Sequence, residues 1–177
     1  MVSTLSGNPS LVALDFENPK PNPISMLQEW LSEAESLGIH EPRSLILSTV
    51  NQRHHPTSRV VFLRSCDETG VIFATSQTSR KGKDMQENPY VAGTLWWRES
   101  LQQINFQGHV TRLVEEHSDA IFHARTREAQ SIAVVSKQSA QLTNPKNCFK
   151  ILKLRYTNKV KLTALLTGMP IIFLLKL

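Results

Sequence analysis

Thr57-Ser-Arg-Val-Val-Phe-Leu-Arg-Ser-Cys-Asp-Glu-Thr-Gly-Val-Ile-Phe-Ala-Thr-Ser-Gln-Thr-Ser-Arg-Lys-Gly-Lys83 is the stretch that decides how this chain reads. It holds two short apolar runs, Arg59–Arg64 and Gly70–Thr75, with the turn-forming Asp67-Glu-Thr-Gly70 between them. Runs of this length, rich in β-branched and aromatic residues and bounded by turn residues, are strands. Ser79 then stands where a helix cap belongs, with Arg80 and Lys81 directly behind it. Free N–H groups at a helix start and the helix dipole both favour an anion. A strand, a serine cap and two cations together predict a phosphorylated ligand on a β-rich scaffold.

The flanking sequence extends that scaffold. Residues 1–20 read as a flexible arm rich in Ser, Asn and Pro. Asn22-Pro23 opens a helix whose Leu27, Trp30, Leu31 and Ala34 recur at helical spacing, with Gly38 as its C-terminal stop. Strands are expected at Ser44–Val50, Arg59–Arg64, Val71–Thr75, Tyr90–Trp97 and Gln102–Leu113, with a short helix over Ser79–Asn88 and another over Val114–Arg127. Short strands at close spacing with tight turns favour an antiparallel barrel or sandwich, mainly β with flanking helices.

Composition bounds the function. The 177 residues suffice for one domain with a real core. The net charge of +5 suggests nucleic acid, but its distribution argues against that partner. Residues 1–128 carry 12 Lys and Arg against 15 Asp and Glu, whereas 129–177 carry 8 cations and no acid. The basicity belongs to the tail, which has no Arg-aromatic interleaving. Cys66 and Cys148 make neither a metal spacing nor a disulfide framework. The adjacent His54 and His55 lack acidic or thiol partners and read as loop residues, so no metal is expected. The first residues show no basic segment followed by an apolar one, and a reducing cytoplasm is the expected compartment.

Several motifs, none decisive singly, fall in one order. Ser58-Arg-Val-Val61, Phe73-Ala-Thr75, Ser79-Arg-Lys-Gly82, Glu87-Asn-Pro89, Gln103 ahead of Gly108, and Val135-Ser-Lys-Gln-Ser139 resemble the FMN-dependent pyridoxine/pyridoxamine 5′-phosphate oxidases over about residues 20–144. Asn22-Pro-Ile-Ser25, Glu33-Ala-Glu-Ser36, Glu41-Pro-Arg43 and Trp97-Arg-Glu-Ser-Leu-Gln-Gln-Ile104 are similar to the branch of flavin oxidases in phenazine biosynthesis. The resemblance implies a split β-barrel over 21–144 and a homodimer with FMN at the subunit interface. Arg59, Arg80 and Lys81, with the cap at Ser79, would hold the FMN phosphate. Val60, Val61, Phe62 and Thr75 would run along the cofactor. Gln103, Gln138 and Ser139 would complete the site, some from the partner chain. Its implied chemistry is oxidation of a reduced phenazine carboxylate, a small aromatic, carboxylated substrate, with oxygen as the electron acceptor and hydrogen peroxide as product. The alternatives are the vitamin B6 reaction and an inactive flavin-binding dimer.

Two departures from the family stand out. Where the vitamin B6 enzymes grip a substrate phosphate with Lys, Tyr, Arg and Ser, this chain carries Arg64, Ile121, Arg125 and Ala129. Two hydroxyl donors are lost and two cations remain, which tilts the expected substrate toward a planar carboxylate held by Arg64 and Arg125. Beyond Asn144, residues 145–177 match neither the Trp-containing strand nor the Arg-Leu-His segment that closes family members. The expectation is a tail that is frameshifted or truncated and packs irregularly. Its apolar run Leu162–Leu175, broken by Gly168 and Pro170, is shorter than the roughly 20 residues of a membrane helix. A buried segment and a tail anchor remain open alternatives, and an exposed Ile171-Ile-Phe-Leu-Leu175 would be an aggregation liability.

Overall fold

A computed structural model describes residues 6–8, 10–11, 20–113, 120–141 and 170–176, the last stretch by its backbone. Helix α1 spans Pro23–Ser36. Asn22 caps it by accepting the Ile24 N–H at 2.8 Å, and Pro23 sits where a missing N–H costs nothing. Ile24, Leu27, Leu31 and Ala34 form its buried stripe. Gly38, at φ +69°, turns the chain away at the expected stop.

Six strands follow: β1 Ser44–Val50, β2 Pro56–Asp67, β3 Gly70–Ser76, β4 Tyr90–Trp97, β5 Gln102–Arg112 and β6 Pro170–Lys176. They pair antiparallel in the order β1-β2-β3-β6-β5-β4 and close into a barrel, the architecture expected of the split-barrel class. Helix α2, Arg80–Glu87, lies between β3 and β4, and α3, Arg127–Val135, follows β5. The helix expected over Val114–Arg127 is not continuous. Residues 114–119 lie outside the described set, 120–123 are helical, and Thr126 then caps a separate α3 by accepting the Ala129 N–H at 3.3 Å.

The expected irregular packing of the tail does not hold for residues 170–176. β6 joins β3 through the Phe73–Phe173 register and β5 through the Val110–Leu175 register. Its β-prone composition suits the position, and pairing removes two open sheet edges that would otherwise expose rows of N–H and C=O groups. The rest of the tail, 142–169, falls outside the described residues.

The barrel's inward positions are apolar over most of their length. Leu45, Leu47, Leu63, Val71, Phe73 and Leu95 are fully buried, and α1 packs its stripe on the same cluster. Trp97 is buried too, and its indole N–H donates to the Pro42 carbonyl at 2.9 Å. At one end the series changes character. On β1 the inward residues run Leu45, Leu47, Thr49, and on β2 they run Leu63, Val61, Arg59, Thr57. Register pairs Leu47 with Arg59 and Thr49 with Thr57, and Leu63 with Phe73, which sends Thr75 of β3 to the same end.

Helix α2 seats on this polar end. Ser79 caps it, its hydroxyl accepting the Gly82 N–H at 3.2 Å and donating to the Ser76 carbonyl at 2.6 Å. Gly82 is required by the close approach: a Cβ there would collide with the backbone carbonyls of Ser76 and Gln77.

If β6 closes the barrel, deleting residues 170–177 should strip amide protection from Val71–Ser76 and Val110–Arg112 and lower the melting temperature. Hydrogen exchange on the deleted protein checks this; unchanged protection in both strands would contradict it.

Candidate functional site

A cleft of about 660 Å³ opens where β2, β3 and the start of α2 meet the 138–139 loop. Arg59, Arg80 and Lys81 line one side, with Thr75, Gln138 and Ser139. Val60, Val61 and Ala74 supply apolar wall.

Arg59 is held from behind. Its Nη1 donates to the Leu47 carbonyl at 3.1 Å and to Thr49 Oγ1 at 2.8 Å, and its Nη2 donates to Thr57 Oγ1 at 2.6 Å. The Asp84 carboxylate stands 4.0 Å from Nη2. Burial pulls the guanidinium below its ordinary range, Asp84 opposes that pull and Arg80 adds to it. Lys81 is likewise pulled down by burial first and by Arg59 second. Its ammonium donates to Gln138 Oε1 at 2.8 Å and to Ser79 Oγ at 3.3 Å. The Arg80 backbone N–H donates to Ser139 Oγ at 3.1 Å, and Ser139 holds a left-handed φ of 66°. Within this half-buried cleft Arg80 thus opposes the charge on Arg59 and Arg59 opposes the charge on Lys81, an arrangement that an anion relieves.

Thr75 adds an independent sign. Its residue is 4 % exposed, yet its Oγ1 has no hydrogen-bond partner while lining the cleft. A buried hydroxyl left unpaired costs free energy unless a ligand satisfies it. Cation cluster and capped helix start fit the phosphate end of a mononucleotide such as FMN, and the orphaned Thr75 hydroxyl leaves a donor for the rest of that ligand.

The structure places the other expected site residues as follows. Val60, Val61, Arg80, Lys81, Gln138 and Ser139 come together with Arg59 and Thr75, and Gln138 and Ser139 reach the cleft from the same chain. Ser79 is fully buried and acts as the cap of α2 without lining the cleft. Phe62 is half exposed and packs its ring under the Arg64 guanidinium, 4.9 Å from the centroid. Gln103 lies on β5, opposite Trp96 and away from this cleft. Thr57, Ser58 and Ala74 also line the cleft but are not among the site residues expected from sequence, and neither are Thr49 and Asp84 behind it. The available signal was strand parity, since Thr49 and Thr57 continue the inward series of Leu47 and Arg59.

Arg64 and Arg125 form a second cationic pair. The Nε atoms of both are buried and unpartnered, and the Arg64 charge adds to burial in pulling Arg125 below its ordinary range. Half-buried Ile121 lies four residues before Arg125 and half-buried Ala129 four after it. Among the described residues, no three His, Cys, Asp or Glu side chains gather as metal ligands, and no helix is long and apolar enough to cross a membrane.

Comparison with known proteins bears on this geometry. The family model "Pyridoxamine 5′-phosphate oxidase" matches residues 31–156. Dihydrophenazinedicarboxylate synthase of Pseudomonas chlororaphis is 35 % identical over 142 residues, which cover 80 % of this chain and 64 % of that protein. Pyridoxine/pyridoxamine 5′-phosphate oxidase of Haemophilus influenzae is 36 % identical over 126 residues, covering 71 % of this chain and 60 % of that one. The chain thus spans less than two thirds of either relative's length. The crystal structure of PhzG from Burkholderia lata 383 in complex with tetrahydrophenazine-1-carboxylic acid superimposes with a TM-score of 0.88 at 29 % identity, covering 96 % of this chain and 83 % of that one. Barrel, cleft and sequence agree: the chain belongs to the pyridoxamine 5′-phosphate oxidase family.

Proposed function

We propose that this protein is an FMN-dependent oxidase acting on a reduced phenazine carboxylate. The observation that carries the cofactor is the cleft itself, with Arg59, Arg80 and Lys81 gathered beside the unpartnered Thr75 hydroxyl. Arg59, Arg80 and Lys81 would bind the phosphate oxygens, Thr75 would donate to the flavin, and Val60 and Val61 would exclude water along it. Bound FMN supplies a two-electron acceptor for substrate oxidation, with dioxygen as the terminal acceptor and hydrogen peroxide as the product. No acid–base triad is then needed, because the cofactor carries the redox chemistry.

The Arg64 and Arg125 pair supports a carboxylated substrate. Two guanidinium groups with unpartnered Nε–H donors suit a carboxylate, which accepts paired N–H bonds. Ile121 and Ala129 offer apolar contact, and neither has the hydroxyl that a phosphate would use. The similarity to dihydrophenazinedicarboxylate synthase at 35 % identity points the same way.

A homodimer belongs to this reading. Val60 is 63 % exposed, and Ile46, its register partner, and Phe62 are also exposed on the outer face of β1 and β2. Trp96 adds exposed apolar surface on β4. A second copy would cover this face and enclose the flavin ring.

The phosphate claim has a direct readout. FMN should bind more tightly than riboflavin, and Lys81→Ala should weaken FMN about tenfold or more while sparing riboflavin, since charge-assisted phosphate contacts are worth about 1.5–3 kcal/mol each. The pH dependence carries the same sign. Lys81 in the free protein titrates below the ordinary 10.5, and an anion prefers it protonated. The ratio of FMN to riboflavin affinity should therefore fall as alkaline pH approaches that value from below, and Lys81→Arg should flatten the fall. Equal affinity for the two flavins in fluorescence titrations would overturn the cofactor assignment.

Turnover tests the substrate. Dihydro- or tetrahydrophenazine carboxylate should be oxidised with peroxide release, and Arg125→Ala should raise its KM about tenfold. Preferential turnover of pyridoxine 5′-phosphate would assign the vitamin B6 reaction instead, and bound flavin without turnover of either substrate would leave a flavin-binding dimer.

A further inference from the structure

Asp84 is a carboxylate in a place where the proposed ligand is an anion. It lies on α2, four residues beyond Arg80, and is 4 % exposed. Its Oδ2 accepts the Thr49 hydroxyl at 2.8 Å, and Thr49 Oγ1 in turn accepts from Arg59 Nη1 at 2.8 Å. The chain Arg59 to Thr49 to Asp84 has one consistent donor direction. The carboxylate and the guanidinium are 4.0 Å apart at Nη2, too far for a direct hydrogen bond. Asp84 therefore acts on Arg59 through the threonine and through its field.

The field has a definite task. Arg59, Arg80 and Lys81 converge on one cleft, where burial disfavours the charge on Arg59 and Lys81, Arg80 adds to that on Arg59, and Arg59 adds to it on Lys81. Asp84 is the carboxylate paired with this cluster among the described residues. Three cations against one carboxylate leave a surplus of two positive charges. A phosphate monoester carries about −1.5 to −2 at neutral pH, so the surplus matches it.

Resting on the reading of this cleft as a phosphate site, we propose that Asp84 is its resident counter-ion and positioning residue. It holds the three cations together before the ligand arrives, fixes the Arg59 guanidinium through Thr49, and ties α2 to β1. It reaches the ligand only through these groups. A carboxylate deeper in the cleft would compete with phosphate; behind Thr49 it neutralises one charge and leaves the cleft-facing donors available.

Asp84→Asn separates charge from shape, because its amide oxygen still accepts the Thr49 hydroxyl. The ligand-free variant should melt about 5 °C or more below wild type. FMN or inorganic phosphate should return most of that loss by supplying the missing negative charge, while riboflavin should not. A parallel drop under all conditions would show a merely structural aspartate and overturn the proposal. Should Asp84→Asn alone fail to fold, the double variant Asp84→Asn/Lys81→Gln restores the surplus of two charges and should recover a cooperative transition. Absence of that recovery also overturns it. Wild-type preference for FMN over riboflavin, measured alongside, tests the phosphate reading separately, since charge rescue by Lys81→Gln involves no flavin.

Discussion

A guanidinium in an inward register of a barrel is tolerable only if its donors are met and its charge is offset. Arg59 meets both conditions: the Leu47 carbonyl and two threonine hydroxyls take three of its N–H bonds, and Asp84 lies within reach. The polar end of the barrel follows from this one residue. Thr49 and Thr57 stand where β1 and β2 would otherwise continue Leu and Val, and α2 must cover them closely enough to bring Asp84 to Thr49. That closeness explains Gly82, whose Cβ would strike the end of β3, and the buried cap at Ser79.

The same arrangement makes the cleft. Seating α2 on the polar end puts Arg80 and Lys81 beside Arg59 and presents the helix start to the same space. The 138–139 loop is drawn in by Lys81 and by the Arg80 N–H, so residues nearly 60 positions apart share one wall. The apolar barrel beneath gives this constellation a rigid base, with Leu45, Leu47 and Leu63 fully buried. The Arg64–Arg125 pair is a separate centre of charge, tied to β2 at one residue and to the segment before α3 at the other.

Much of this was legible in the sequence, for local reasons. β1 and β4 read with their observed bounds because apolar alternation and turn residues coincide there. β2 read short, as Arg59–Arg64, because Pro56-Thr-Ser58 and Ser65-Cys-Asp67 carry no apolar signal; pairing with β1 and β3 extends them. Arg59, Arg80 and Lys81 stood out by type and spacing. Thr49 and Asp84 did not, because they lie 35 residues apart and meet only through register and helix seating. β6 was hidden for a related reason: an apolar run shows that it will be buried or paired, and only the open edges of β3 and β5 say where. The expected helix over Val114–Arg127 ran past the cap at Thr126, and α3 beyond that cap was not expected, because the apolar pattern of this stretch is weak.

The account stands on a phosphate seated among Arg59, Arg80 and Lys81 at the polar end of the barrel. A crystal structure of the protein loaded with FMN measures this directly. The account predicts phosphate oxygens within hydrogen-bond distance of all three cations, the Thr75 hydroxyl turned to the flavin, and Asp84 still bonded to Thr49. Phosphate bound elsewhere, with this cleft filled by solvent or by side chains, would contradict it.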